Sequence, residues 1–377
     1  MIYFDSAATT LQKPKAVRRA VSCALVGQTS PSRGGHRASM TAADTAYRAR
    51  EAAAGLFGAP GPEHVVFTMN ATHGLNLAIK SLVRAGERAV VSGYEHNSVA
   101  RPLHAVGAEV VVARSPLFAP PAAVGAFEAA ITPDTKLVVC NHVSNVFGYV
   151  LPVAEIAALC RERGVPFVLD ASQSAGLSEI DAVALGAAFV AMPGHKGLYG
   201  PQGTGILICN TDTVCPLLEG GTGSNGAHWE MPDDLPDRLE AGTPNMPGIS
   251  GLLAGMEFVR RRGRERILRR ERHLLCYLLS GLWRIPGVYP YAAENPEQQA
   301  GVLSFHVDGA DCEAVAEALG RANIAVRAGL HCSPLAHETA GTRHTGTVRV
   351  SFSVFNKESE VTQFLAILEQ IIKNLRK

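Results

Sequence analysis

Short apolar runs, most of them rich in valine, alternate with longer amphipathic stretches between about residue 65 and residue 208. The short runs are bounded by turn residues and are typical of buried strands, whereas 72–84 and 152–163 have helical spacing. Strands that alternate with helices predict a mostly parallel sheet covered by helices on both faces. Ligands bind such sheets at the carboxyl ends of the strands. The runs are "VVFTM", "RAVVSG", "EVVVAR", "KLVVCNHV", "PFVLDA", "AAFVAM" and "GTGILI".

The pattern changes after a stretch at 219–248 that is rich in glycine and proline. One long helix is predicted over about 249–284. Further helices are predicted over about 311–321 and 358–374, and strands at "GVLSFHV" (301–307), "IAVRA" (324–328) and "TVRVSFS" (347–353). This mixture of strands and helices predicts a smaller α+β domain.

Composition excludes some classes of partner. The 377 residues carry a formal net charge of +1 at pH 7, which gives no global reason to bind nucleic acid or an acidic membrane. The arginine-dense run 260–272 is interrupted by two glutamates, so an exposed helix face is the preferred interpretation.

The N-terminus has no basic region before an apolar core, and no apolar stretch reaches about 18 residues. We therefore expect a cytoplasmic location.

Eight cysteines include no C-x-x-C pair and no zinc-finger spacing, so we expect neither disulfides nor a bound metal. Most of them lie in apolar runs, where a cysteine is typically a small buried hydrophobic residue. Cys332 differs, because in "RAGLHCSPL" it lies between an apparent strand and a proline.

Lys196 is the lysine whose setting indicates chemistry. In "AMPGHKGLYGPQG" it leaves a buried strand and enters a loop flanked by glycines. An amine that loses solvation in such a place has a lowered pKa and can attack a carbonyl. Lys196 is therefore the candidate for a Schiff base with an aldehyde, although an isolated loop lysine is more often solvated.

Four other strand ends supply groups that fit one cofactor. Asp170, in "FVLDASQS", can pair with a protonated pyridine nitrogen. Asn145 follows another strand and can donate a hydrogen bond, and Thr72 opens a helix that suits a phosphate. His96 can stack on an aromatic ring. Together with Lys196 these residues predict a pyridoxal phosphate site.

The ordered motifs of the chain resemble the class V aminotransferase-like enzymes, specifically the cysteine desulfurase and selenocysteine lyase group. The resemblance spans nearly the whole chain. Its motifs are "DSAATT", "NATHGLN", "EH", "HVSNVFG", "DASQ", "GHKGLYGPQG", "EAGTPN" and "RAGLHCSPL".

The resemblance implies a fold and a division into domains. The fold would be the type I fold of pyridoxal phosphate-dependent transferases, an α/β fold with a mostly parallel seven-stranded sheet and a smaller α+β domain. The large, cofactor-binding domain would cover 16–248. Residues 1–15 and 249–377 would form the small domain.

The resemblance also implies roles around the cofactor. Lys196 would hold pyridoxal phosphate covalently, Asp170 would pair with its ring nitrogen, and His96 would stack on the ring and take part in catalysis. Asn145 and Gln173 would position the phenolic oxygen. The phosphate would be held by a set of donors at two helix and strand ends and from the partner subunit, namely Ala71, Thr72, His195 and Thr243 of the partner subunit. Relatives often have serine at the position of Pro193, which offers neither hydroxyl nor amide hydrogen, so His195 or backbone groups would do more of this binding.

Cys332 and Arg349 would act on the substrate. The resemblance implies that Cys332 attacks the sulfur of L-cysteine, which leaves a persulfide on the enzyme and releases L-alanine. Arg349 would bind the substrate carboxylate through its guanidinium fork. Other residues near the substrate or the site entrance would be Asn145, Arg327, Ala8, Arg33 and His36.

Several functions and partners stay open at this point. The enzymatic alternatives are a selenocysteine lyase, which acts on L-selenocysteine, and another elimination, transamination or epimerisation on the same fold. A scaffold that binds the cofactor without turnover is disfavoured by the presence of Lys196, Asp170 and Cys332. The short segment between Cys332 and Arg349 resembles group II enzymes and indicates a sulfur-acceptor protein as a partner. The resemblance also implies a homodimer.

Overall fold

A computed structural model describes residues 1–31, 34–224 and 226–375. Arg33 lies outside the described residues. The strands, in chain order, are β1 (Ile2–Tyr3), β2 (Val65–Thr68), β3 (Arg88–Ser92), β4 (Glu109–Ala113), β5 (Thr135–Asn141), β6 (Phe167–Asp170), β7 (Phe189–Pro193), β8 (Gly205–Cys209), β9 (Val288–Pro290), β10 (Val302–Val307), β11 (Ile324–Ala325), β12 (Arg327–Gly329) and β13 (Thr347–Ser351).

Helices connect and cover these strands. In chain order they are α1 (Lys15–Gly27), α2 (Arg37–Phe57), α3 (Ala71–Leu82), α4 (Asn97–Val106), α5 (Pro120–Ala130), α6 (Val153–Glu162), α7 (Ala182–Leu185), α8 (Met246–Arg262), α9 (Arg264–Leu282), α10 (Cys312–Arg321), α11 (Pro334–Thr339) and α12 (Glu358–Leu375). None of the helices in the described ranges combines the length and hydropathy that crossing a lipid bilayer requires.

The predicted large sheet is confirmed. It has seven strands in the order β2-β8-β7-β6-β5-β3-β4, and β8 alone runs antiparallel to its neighbours. Alternate residues of a strand face opposite sides. Val90 therefore packs in a core with α2 and α6, while Val91 packs in a second core with α3 and α4. The carboxyl ends of the parallel strands meet at one edge of this two-sided core.

The second unit is a smaller antiparallel sheet covered by helices. Its strands lie in the order β12-β13-β10-β9, and its core includes residues of α9, α10 and α12. Ile2 and Phe4 belong to the same core, and β1 pairs with β11. The N-terminal segment is thus packed into the smaller unit.

The predicted long helix over 249–284 is wrong, because the structure has two helices there. Gly263 ends α8 with a φ of +85°, a conformation that favours glycine and breaks the helical hydrogen bonding. Residues of α8 such as Leu252 and Met256 pack in the core of the large sheet. The predicted domain boundary at 248 falls inside α8, and we propose to place it after this helix.

His337, in α11, packs against Phe147, which belongs to the core of the large sheet. It is fully buried, its Nδ1 lies 2.8 Å from Thr342 Oγ1, and burial lowers the pKa of His337 to about 4. The neutral ring therefore stabilises the fold fully above pH 6.5, and this contribution is lost as the pH falls towards 4.

We expect His337→Gln to cost less stability in acid than at neutral pH. Each pH unit below the unfolded pKa removes about 1.4 kcal/mol of the native advantage, so the cost should shrink by about 2 kcal/mol between about pH 7.5 and about pH 5. Urea unfolding of both proteins at the two pH values measures this difference. His104→Gln, the same substitution at an exposed position, is the control. An equal cost for His337→Gln at the two pH values would contradict the prediction.

Candidate active site

A cavity lies at the carboxyl ends of the large sheet's strands. Eight of the predicted residues line it, namely Ala71, Thr72, His96, Asn145, Asp170, Gln173, His195 and Lys196. Six further residues complete the lining, namely Asn70, Ser98, Asn141, Val143, Ser172 and Pro193. Within the described ranges, no three His, Cys, Asp or Glu side chains cluster so that they could hold a metal ion.

Lys196 enters the cavity from the short connection between β7 and β8. A side chain at Gly194 would collide with Thr204 Oγ1, so a larger residue in this turn would force Thr204 to move. Burial lowers the pKa of Lys196 to about 8, an effect that Asp170 opposes and Arg349 reinforces. An amine with this pKa is partly neutral near physiological pH, and a neutral amine is the form that attacks a carbonyl.

Asp170 is the last residue of β6, and only 4% of it is exposed. Its Oδ1 accepts a hydrogen bond of 2.9 Å from the backbone N of Ser172, which fixes the carboxylate against the cavity wall. Burial lowers the pKa values of both Lys196 and His96, and the negative charge of Asp170 partly offsets this lowering. A carboxylate in this position can stabilise a protonated ring nitrogen.

His96 presents a defined tautomer to the cavity. Its Nδ1 accepts from the backbone N of Ser98 at 3.0 Å and lies 2.8 Å from Ser98 Oγ, which in turn lies 2.7 Å from Thr72 Oγ1. Burial, opposed by Asp170, lowers the pKa of His96 to about 4. The ring is therefore neutral, and because Nδ1 accepts, we assign its proton to Nε2.

The N-terminus of α3 and His195 form the end of the cavity that suits an anion. Asn70 caps the helix by accepting from His73 N at 3.0 Å, and the amides of the first turn lack helical partners. The Nδ1 of His195 is buried and has no hydrogen-bond partner among the described residues. With Pro193 unable to donate, these groups and the nearby Ser98 and Ser172 are the available phosphate donors.

This donor set fits pyridoxal phosphate. An amine, a carboxylate, a neutral imidazole and a helix N-terminus surround one cavity, and the orphaned Nδ1 of His195 lies in its wall. Each group matches one part of the cofactor: aldehyde, ring nitrogen, ring face and phosphate.

Cys332 lies in the loop between β12 and α11, with an exposed side chain and an unusual backbone. His331 and Cys332 both have positive φ, at 50° and 57°, which is costly for residues other than glycine. Three hydrogen bonds hold this conformation. Asn97 N donates to Cys332 O at 2.8 Å, Asn145 Nδ2 donates to His331 O at 2.9 Å, and Ser333 Oγ donates to Asn145 Oδ1 at 2.6 Å.

Two cavity amides make hydrogen bonds within the protein. The Asn145 side chain bonds the Cys332 loop through both its Nδ2 and its Oδ1. Gln173 Nε2 donates to Ala7 O at 3.0 Å and so ties the cavity wall to the N-terminal segment. These residues connect the cavity to its neighbouring segments.

Arg349 is buried and shares a carboxylate with Arg327. One terminal nitrogen of Arg349 donates to Asn145 O and the other to Asp5 Oδ1, both at 2.9 Å. Arg327 donates to Asp5 Oδ2 at 2.8 Å. The two arginines oppose each other across β12 and β13, where like charges repel, and Asp5 compensates both.

Six of the described residues predicted for the site do not line the Lys196 cavity: Cys332, Arg349 and Arg327, whose positions are given above, and three others. His36 caps α2, Ala8 lies in a turn that begins at Asp5, and Thr243 is an exposed residue beside a separate cavity near Met69. The position of Thr243 leaves its predicted contact with a second subunit untested.

Sequence reasoning missed the second lysine at this site. Lys13 donates to His195 O at 2.9 Å and to Thr10 Oγ1 at 2.6 Å, and burial lowers the pKa of Lys13 to about 8. Its polar sequence neighbours gave no sign of this packing, because the contact joins positions far apart in the chain. Asp5 was visible in the motif "DSAATT", but its two arginine partners were not.

The comparisons with known proteins agree with this geometry. The family model described as aminotransferase class-V matches residues 2–364. A probable cysteine desulfurase of Pyrococcus abyssi is 33% identical over 390 residues, covering 100% of this chain and 95% of that protein. A cysteine desulfurase of Cronobacter sakazakii is 33% identical and covers 98% and 93%. The apo structure of a cysteine desulfurase from Thermococcus onnurineus matches with a TM-score of 0.88 and 34% identity, covering 99% and 95%.

The chain therefore belongs to the class-V aminotransferase family. The predicted fold, with its mostly parallel sheet and flanking helices, is confirmed by this structural match. Within the family, the two relatives are named as a probable cysteine desulfurase and a cysteine desulfurase, and the solved structure is that of a cysteine desulfurase.

We expect Ser333→Ala to loosen the Cys332 loop. The variant leaves Asn145 Oδ1 without its buried donor, which should lower the free energy of unfolding by about 1–3 kcal/mol. Hydrogen exchange at the Asn97 amide, whose partner is Cys332 O, should become faster. Ser280→Ala, on an exposed face of α9, is the control. Unchanged exchange at Asn97 in Ser333→Ala would show that Ser333 does not hold the loop.

Proposed function

We propose that this protein is a pyridoxal phosphate-dependent cysteine desulfurase that converts L-cysteine to L-alanine and transfers the sulfur to Cys332. One observation carries the proposal. The exposed thiol of Cys332 is held in a strained loop by Asn97 and Asn145, and these two residues belong to elements that also form the Lys196 cavity. The names of the relatives support the same activity.

The cavity residues divide the binding of the cofactor between them. Lys196 would hold the aldehyde carbon, Asp170 the ring nitrogen, and the first turn of α3 with His195 the phosphate. Bound pyridoxal phosphate supplies an electron sink for the bonds at the substrate's Cα. His96 would contact the ring and direct its Nε2 proton into the site.

Two residues would bind the substrate and move its proton. Arg349 would exchange the Asp5 carboxylate for the carboxylate of L-cysteine, because the guanidinium fork fits either. Its Nε is buried without a partner in the described structure and gives a further donor. The Lys196 amine, with a pKa of about 8, can accept the proton from the substrate's Cα.

Cys332 would then accept the sulfur. Its thiolate forms an S–S bond with the substrate sulfur while the C–S bond breaks and leaves its electron pair on the substrate carbon. Protonation of that carbon gives L-alanine, so one thiol and one L-cysteine yield one persulfide and one L-alanine. A thiol or an acceptor protein would take the sulfur onward from Cys332.

We also propose three features of the protein's setting. It would form a homodimer in which Thr243 contacts the phosphate of the other subunit. The exposed position of Cys332 supports a sulfur-acceptor protein as a partner. The cytoplasmic location stays a prediction from the sequence.

We expect Cys332→Ala to lose persulfide formation and most L-alanine release from L-cysteine. The protein is loaded with pyridoxal phosphate, given a thiol reductant, and assayed for L-alanine and sulfide. Cys276→Ala is the control, since Cys276 is another exposed cysteine and lies on α9. Equal activity in native and Cys332→Ala would rule out Cys332 as the nucleophile. Activity with L-selenocysteine alone would favour the lyase.

We expect Lys196→Ala to lose covalently bound cofactor. The purified variant, incubated with pyridoxal phosphate and borohydride, should carry no reduced cofactor by mass spectrometry, because Lys196 is the lysine that lines the cavity. Lys136→Ala removes an exposed lysine and should label like the native chain. Labelling of another lysine in native protein would contradict the assignment.

A further inference from the structure

Glu95 is a buried carboxyl group directly before His96, and the proposed reaction gives it no role. It is completely inaccessible to solvent. Its Oε1 lies 2.5 Å from Ser92 Oγ and accepts from Asn141 N at 2.8 Å. Its Oε2 is buried and has no hydrogen-bond partner among the described residues. An ionised carboxylate in such a place would be costly.

The contacts of Ser92 determine where the protons must be. Ser92 Oγ accepts from Tyr94 N at 3.1 Å and also lies 2.8 Å from Asn141 Oδ1. The Asn141 amide has a fixed orientation, because its Nδ2 donates to the carbonyl oxygen of Tyr94 at 2.9 Å. Asn141 Oδ1 is therefore an acceptor that faces Ser92.

A single hydroxyl proton cannot serve both neighbours of Ser92. Asn141 Oδ1 only accepts, and an ionised Glu95 would also only accept. With Glu95 ionised, one of the two short contacts joins lone pairs and has no proton between its atoms. A proton on Glu95 removes the conflict, because Glu95 then donates to Ser92 and Ser92 donates to Asn141.

We propose that Glu95 is a neutral carboxylic acid in the working enzyme. In this form it positions two parts of the site, namely the turn that bears His96 and the cavity residue Asn141 at the end of β5. Three consecutive residues of this turn each contribute to the site. Glu95 anchors the turn to β3 and β5, His96 faces the cavity, and Asn97 holds the Cys332 loop.

Electrostatics at the end of the sheet agree with this assignment. Burial, together with the charge of Asp170 on β6, raises the pKa of Glu95 to about 8. The ionisable Cys140 of β5 also faces it, and an ionised Glu95 would raise the pKa of that thiol further. A neutral Glu95 also spares Asp170 a second negative charge at this end of the sheet.

Infrared spectroscopy of the protein loaded with pyridoxal phosphate tests the protonation directly. A carboxylic acid has a carbonyl band separate from carboxylate bands, and Glu95→Gln should remove one such band at neutral pH. Glu271 is the matched control, since it is a second buried carboxyl whose pKa burial raises. In Glu271→Gln the remaining band should disappear as the pH rises through about 8. Spectra of native and Glu95→Gln with the same acid bands, or no titrating band in Glu271→Gln, would overturn the proposal.

Kinetics test the positioning role, and this part rests on the proposed desulfurase activity. The Glu95→Gln variant loses one of the two Oε1 contacts. Its kcat should therefore fall by no more than about tenfold at neutral pH. The native enzyme should lose kcat as Glu95 ionises in alkali, and Glu95→Gln should lack this loss. Identical alkaline profiles would overturn the role of Glu95. A native chain that forms no L-alanine would contradict the proposed function, while the infrared result would still decide the protonation of Glu95.

Discussion

The arrangement of the site depends on the ion pairs that the Asp5 carboxylate makes with two arginines. This carboxylate lies between two arginines that face each other across β12 and β13, and it comes from the N-terminal segment packed on the smaller sheet. Arg349 continues the chain of contacts to the large sheet through the carbonyl of Asn145. One anion thus aligns three segments that are distant in sequence. Removing it would leave two positive charges opposed, one of them buried, which is among the most costly changes in a protein interior.

The cavity itself works by keeping charges few. The imidazoles of His96 and His195 have pKa values lowered to about 4 and are neutral, and the amine of Lys196 is close to losing its proton. The negative charge of Asp170 therefore meets little competing charge from these three side chains. A dianionic phosphate can enter such a site because helix amides and neutral donors receive it without a fixed counter-ion.

The sequence predicted the sheet well and the contacts between segments poorly. The seven short apolar runs, most of them rich in valine, correspond to the seven strands, because burial leaves a local pattern that does not depend on distant residues. The position of Lys196 followed from the same pattern. Gly263 lies inside a polar run and could have indicated the break between α8 and α9. The helical spacing on either side of it predicted one continuous helix instead. Lys13 beside His195, and the two uses of the Asn145 amide, depend on tertiary contacts that no local pattern records.

The backbone at His331 and Cys332 has a consequence for the cost of turnover. A left-handed conformation at two residues other than glycine is unfavourable by about 1–2 kcal/mol each, and the three hydrogen bonds around the loop offset this when the protein folds. For the proposed reaction, the thiol is therefore preorganised. The conformational entropy of placing it is lost once, during folding, rather than each time a substrate arrives. A longer and looser loop would gain reach at the expense of that advantage.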